Sequence, residues 1–256
     1  MNYPNLEELI KTIDTLRSEN GCAWDREQTH KSLRPNMLEE AYEAVDAIDD
    51  NDMSNLREEL GDVLLQVVFH SIMEEEKGSF NIDDVCDEVS KKLIIRHPHV
   101  FADTIADTPD EVLKNWDQIK MKTKSQKSQS EVLGSVSKSL PALMYSQKVQ
   151  HKAAKVGFDF EKTDDAIDKV SEELTELKSA IANNDAENMS EELGDLLFSV
   201  VNVARFIKVD SEKALYDATL KFTERFGKVE RLCKERDIDM SKASISELDS
   251  LWEEVK

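Results

Sequence analysis

The residues best placed for chemistry in this 256-residue chain are carboxylates in two matched sets. Glu40 and Glu43 are three apart, as are Glu59 and Asp62, and the spacing recurs in Glu173 with Glu176 and in Glu192 with Asp195. On a helix, residues three apart share a face, one turn from each other. The position midway between Glu43 and Glu59 is Asn51, inside the helix-breaking run Asp50-Asn51-Asp52-Met53-Ser54. The position midway between Glu176 and Glu192 is Asn184, inside Asn183-Asn184-Asp185. Two helices folded back on such a turn bring both pairs to one height on facing helices, so four carboxylates converge in each set. Their repulsion in partly buried surroundings reaches on the order of several kcal/mol, and a hard divalent cation relieves it. Oxygen-only donors, without His or Cys, suit Mg²⁺ or Mn²⁺ and not zinc. Acidic helix faces are more often merely solvated. Symmetry about a turn, present twice, is what favours the cation.

The elements that must position these side chains can be read from periodicity. Leu38, Ala41, Val45 and Ile48 recur every three or four positions, which predicts an amphipathic helix over 35–49. Leu56, Leu60, Val63, Leu64, Val67 and Val68 predict a second, with Ser54 as its N-cap. Gly61 and Gly194 fall mid-helix, at a cost of about 1 kcal/mol each relative to alanine. Close helix approach beside the cation is the expected reason for them.

The pattern repeats along the chain. Glu39-Glu40 aligns with Glu172-Glu173, and Glu58-Glu59-Leu60-Gly61-Asp62 with Glu191-Glu192-Leu193-Gly194-Asp195, both at the same offset. Upstream, Trp24-Asp25 matches Phe158-Asp159; downstream, Lys92 and Arg96 fall opposite Lys221 and Arg225. Four landmarks in conserved order mark a duplicated domain. We expect helical domains over 1–125 and 126–256, joined by a polar linker near 121–131, with Pro141 in the first turn of the helix that follows.

Composition agrees and excludes other classes. Glycine and proline number only 7 and 5, and charged residues make up 34% of the chain, which points to an all-α fold. No two glycines are spaced for a Rossmann or P-loop phosphate cradle. Cys22, Cys86 and Cys233 are isolated, which fits a reducing cytoplasm. No apolar run approaches the roughly 20 residues of a bilayer span, so no membrane association is expected. A net charge of −21 repels nucleic-acid polymers. Glu27-Gln28-Thr29-His30 is the sole E-x-x-H, whereas a di-iron bundle needs two such pairs. His97 and His99, flanking Pro98, read as loop or packing residues.

With these residues in view, the chain resembles the MazG nucleoside triphosphate pyrophosphohydrolases of the all-α NTP pyrophosphatase superfamily. Their signature, E-E-x-x-E followed by E-x-x-D, occurs twice here. Gly21-Cys22-Ala23-Trp24-Asp25, Arg96-His97-Pro98-His99-Val100-Phe101, Ser139-Leu140-Pro141-Ala142-Leu143 and Val156-Gly157-Phe158-Asp159 are similar to the long, two-domain form, so the likeness spans nearly the whole chain. The resemblance implies tandem helical bundle domains, Mg²⁺-dependent hydrolysis of NTPs to NMP and pyrophosphate in nucleotide-pool control, and a homodimer enclosing the sites. It places metal ligands on Glu173, Glu176, Glu192 and Asp195, with Glu40, Glu43, Glu59 and Asp62 as a second set. It places nucleotide contacts on Lys169, Glu172, Lys221, Arg225 and Trp252. Lys221 and Arg225 are four apart on one helical face, suited to a triphosphate, though such a pair is also an ordinary cationic stripe. Trp252 is open to two roles, stacking on a base or packing on its own domain.

The expected reaction is in-line attack by a water beside the cation on a phosphorus of the α–β anhydride. Glu172 and Glu173 are the candidate catalytic groups, with Glu172 (Glu39 in the first copy) a candidate to orient or deprotonate that water. The second copy is favoured as the working one, because Lys169 stands where the first has Asn36. Two other readings remain: a helical protein-interaction module whose acidic clusters serve solubility, and a nucleotide sensor without turnover.

Overall fold

The computed structural model describes residues 3–102, 104, 108–123 and 128–256. The chain divides into two compact units, Met1–Lys120 and Met121–Lys256. Helices are the sole regular secondary structure among the described residues, as the composition predicts. None of them is long and apolar enough to cross a membrane.

The first unit contains α1 (Pro4–Arg17), α2 (Ala23–Glu27), α3 (Arg34–Asp49), α4 (Met53–Glu75), α5 (Ile82–Arg96) and α6 (Pro98–Phe101); α7 (Pro109–Thr123) begins there and runs past the division. Its core is Ile13 from α1, Leu33 from the loop ahead of α3, and Val68, Phe69, Ile72 and Met73 from α4. Gly21 closes the turn after α1. A Cβ there would lie 2.2 Å from the Leu16 carbonyl oxygen, so only glycine fits.

The second unit contains α8 (Gln129–Gly134), α9 (Ala142–Ala154), α10 (Thr163–Asn183), α11 (Ala186–Phe206), α12 (Ser211–Glu235) and α13 (Ile245–Glu254). One of its apolar clusters joins Val229 and Cys233 of α12 to Leu251 of α13, with Trp252 packed against them. Pro141 precedes α9 as its N-cap residue, one position ahead of the expected first turn. Of the expected linker, 121–123 complete α7 and 129–131 open α8, whose Ser128 cap accepts the Glu131 N–H; residues 124–127 lie outside the described set.

Each unit carries the expected antiparallel hairpin, α3 with α4 and α10 with α11. Asn51 and Asn184 turn the corners, both in the left-handed region at φ 55°, where asparagine is among the most tolerant side chains. The N-caps are Asp52, which accepts the N–H groups of Ser54 and Asn55 at 3.0 Å, and Asp185, which accepts that of Asn188 at 3.2 Å. Ser54 is therefore not the cap that its position suggests. The carboxylate two residues earlier reaches the free amides of the first turn and complements the helix dipole there.

Two further expectations change. The stripe of Leu38, Val45 and Ile48 is exposed, and α3 buries Ala44 and Ala47 instead. Small residues let α4 approach, and the larger ones are left on the outer face. A Cβ at Gly61 or Gly194 would meet nothing within 4 Å, so close helix approach within the unit does not account for either glycine.

Candidate functional site

On α10 the buried residues are Ala166, Glu173 and Ala180, spaced seven apart and therefore on one stripe. Glu173 sits in that stripe between two alanines and is only 4% exposed, an environment that carboxylates enter when paired. Its partner is Lys169, one turn earlier, whose Nζ lies 2.7 Å from a Glu173 oxygen. The same ammonium donates to Glu172 at 2.9 Å. These two bonds, that to Glu173 foremost, raise the Lys169 pKa.

Across the hairpin, α11 presents Glu192 and Asp195. One oxygen each from Glu173, Glu192 and Asp195 lie within 4.8 Å of one another. Glu176 stands outside that group and adjoins it: a carboxyl–carboxyl hydrogen bond with Glu173, then burial, then the charge of Glu192 raise its pKa. Burial, followed by the charges of Glu173 and Asp195, raises Glu192. In the first unit the convergent set is Glu40, Glu43 and Glu59. Asp62 lies outside it, although its charge, after burial, is the largest influence raising Glu40. Burial and the Glu43 charge raise Glu59. The first unit has Asn36 in place of Lys169, so no ammonium stands one turn ahead of its cluster.

Glu173 and Asp195 line, together with Lys169, a cavity of about 670 Å³ whose lining also includes Val149, Phe158, Phe160 and Phe198. Phe158 stands at its edge, 82% exposed. Gln150 of α9 donates from Nε2 to the Phe198 carbonyl at 2.8 Å, which fixes the amide orientation. Its Oε1 is therefore turned the other way, buried and without a partner. Asn202 accepts from Arg205 at 2.8 and 3.0 Å, and Arg205 grips Asp159 through both terminal nitrogens. This clasp holds the segment after α9 against α11.

Other residues singled out by sequence lie elsewhere. Lys221 and Arg225 are on α12 and Trp252 on α13, and none of them lines the cavity. Arg225 stands over the Trp252 ring at 5.9 Å, and Trp252 also meets Phe222 at 5.2 Å between ring centres. Trp252 thus packs on its own unit. Glu172 is exposed and tied to Lys169. Sequence reasoning missed Gln150, Asn202 and Arg205. A lone amide or cation on a helix carries no signal until the fold sets it in a wall. Phe158-Asp159 was visible as a repeat landmark and assigned no role.

Paired all-α hairpins with convergent carboxylates, one bordering a ligand-sized cavity, define the class as tandem helical domains of the nucleotide pyrophosphatase type. Residues 28–101 and 162–229 match the MazG nucleotide pyrophosphohydrolase domain, and the chain belongs to the MazG family. It is 45% identical, over 98% of its length and 95% of the relative's, to the nucleoside triphosphate pyrophosphohydrolase/pyrophosphatase MazG of Thermotoga maritima. It is 44% identical to the nucleoside triphosphate pyrophosphohydrolase of Escherichia coli K12, over 98% and 97% of the two chains. It is also 47% identical to the uncharacterized protein YabN of Bacillus subtilis, of which it covers 52%.

Proposed function

We propose that this chain hydrolyses nucleoside triphosphates to nucleoside monophosphate and pyrophosphate, that the second unit does so with Mg²⁺, and that the chain works as a homodimer in nucleotide-pool control. The observation that carries the reading is the convergence of Glu173, Glu192 and Asp195, of which Glu173 and Asp195 line the same cavity as Lys169. The donor set fits the cation: it is oxygen-only, crowded with like charge, and includes groups whose pKa is raised in its absence. Glu173, Glu192 and Asp195, with Glu176 alongside, would hold Mg²⁺, and Mn²⁺ would substitute. A divalent cation there supplies charge neutralisation for the triphosphate and acidity for a neighbouring water.

The chain's own residues do the rest. Lys169 places an ammonium at the cavity wall, where it would donate to a phosphate oxygen if a cation held the carboxylates. Glu172 is an exposed carboxylate one position from Glu173 and paired with Lys169, and it would accept a proton from water once that ammonium turned to the phosphate. Phe158, Phe160 and Phe198 of the lining would exclude water from the base, with the exposed Phe158 as the stacking ring. The Gln150 oxygen accepts an N–H of the base. Lys221 and Arg225 stand on α12 outside the cavity lining and would meet only a triphosphate that extends beyond it; α12 also exposes Leu215, Tyr216, Leu220, Phe222 and Phe226 for a second copy to cover.

The test is a series of NTPs differing only in base, assayed with and without Mg²⁺ beside Phe158→Ala and Gln150→Leu. Turnover that needs the cation, a raised KM in Phe158→Ala, and altered base ranking in Gln150→Leu support the reading. Cation-independent turnover refutes it.

A further inference from the structure

We propose that His30 and His70 form a second metal site of different chemistry, a two-imidazole seat for a borderline divalent cation such as Zn²⁺, Ni²⁺ or Cu²⁺. His30 lies in the loop between α2 and α3, and His70 and Glu74 stand one turn apart on α4. The two Nδ1 atoms are 2.7 Å apart, with the rings nearly parallel at 11°. His30 Nε2 lies 2.6 Å from Glu74 Oε1, which also accepts from Lys77 Nζ at 2.6 Å.

The orientation of His30 follows from that carboxylate. Glu74 Oε1 meets both the Lys77 ammonium and the His30 ring nitrogen, the contacts of a carboxylate acting as acceptor. A carboxylate that accepts from both sides places a hydrogen on His30 Nε2, and in the neutral ring this leaves the Nδ1 lone pair facing His70 Nδ1. Carboxylate, imidazole N–H and opposite lone pair form the arrangement that orients a metal-bound histidine.

With both rings neutral and no cation, the His70 Nδ1–H would donate to His30 Nδ1. A cation takes the place of that hydrogen, which passes through solvent to His70 Nε2, so both rings stay neutral. Metal–nitrogen bonds of about 2.0–2.1 Å in tetrahedral geometry need the two nitrogens roughly 3.3 Å apart. His30, 42% exposed on its loop, has room for the small opening from 2.7 Å. Water completes the coordination. Nitrogen donors select against Mg²⁺, so this seat and the carboxylate clusters do not compete for one ion.

The experiment adds one equivalent of Cu²⁺ to the full chain and reads nitrogen hyperfine coupling by electron paramagnetic resonance. Far-UV circular dichroism confirms folding of each variant. Coupling from two imidazoles, lost in His30→Ala and in His70→Gln and kept in a His97→Ala/His99→Ala control, is the expected result. Glu74→Gln should weaken Cu²⁺ affinity about tenfold with the coordination retained. Absence of nitrogen coupling, or coupling that persists in His30→Ala, overturns the proposal and leaves the pair a hydrogen-bonded clasp. The readout involves no turnover, so it stands or falls separately from the proposed hydrolysis.

Discussion

Glu173 shows how a single carboxylate can be both a structural problem and a functional asset. It is buried on the α10 stripe that also carries Ala166 and Ala180, and Lys169 is its counter-ion. Glu173→Gln keeps the shape and removes the charge that the ammonium and the cation share. We expect kcat for NTP hydrolysis to fall by at least about 100-fold while helical circular dichroism persists. Arg17 offers a stability counterpart in the first unit. Its side chain is 7% exposed, it grips Glu76 at 2.6 and 2.7 Å, and it lies over Phe69 at 5.2 Å. The bond from Arg17 holds the Glu76 pKa below its ordinary 4.5. A depressed carboxyl contributes stability that is present above pH 4.5 and lost as the pH falls below it. Arg17→Met should cost about 1–2 kcal/mol at pH 7 in denaturant titration, and the gap from the parent should narrow on acidification below pH 4.5. At this scale the sequence exposes the carboxylates because their spacing is local. It hides Gln150, because the carbonyl that orients its amide belongs to Phe198, 48 residues further on.

The hairpin is the element that turns spacing into convergence. Its corner residues, Asn51 and Asn184, share φ 55° and are followed by capping aspartates at matching positions. Asn184→Val should cost about 1–2 kcal/mol, since a β-branched side chain resists the left-handed region, whereas Asn184→Gly should be nearly neutral. Thermal unfolding of both variants checks this. Gly194 gives a prediction of opposite sign. Its Cβ position is open, so Gly194→Ala should stabilise the chain by about 1 kcal/mol through helix propensity. Loss of turnover in that more stable variant would show the space filled by substrate or a second copy. Both hairpins are legible in the sequence because apolar periodicity and turn residues are local signals. The cap at Asp52 is less so, because Asp52 and Ser54 are both good capping types and only the backbone course decides between them. The outward face of α3 is hidden for another reason: periodicity identifies an apolar stripe without saying what covers it.

At the scale of the whole molecule, the described residues form one carboxylate cluster in each unit, with a cavity-lining ammonium beside that of the second. That asymmetry predicts unequal effects from matched changes. Glu192→Gln should abolish hydrolysis in the full chain, whereas Glu59→Gln should leave most of it; the reverse outcome would move the working site to the first unit. Exposed apolar residues on both hairpins and on α12 predict self-association, and sedimentation should give about twice the 29.2 kDa of one chain. Duplication was readable from four landmarks in order. What covers the exposed faces was not, because a surface's partner leaves no periodic trace in one chain.

The central claim is cleavage between the α and β phosphorus atoms under the control of the α10–α11 carboxylates. The most direct test identifies the products of ATP incubated with the purified full chain and Mg²⁺, beside Glu192→Ala. AMP and pyrophosphate in equal amounts, absent from the variant, is the predicted result. ADP and orthophosphate, or undiminished pyrophosphate release by Glu192→Ala, would contradict it.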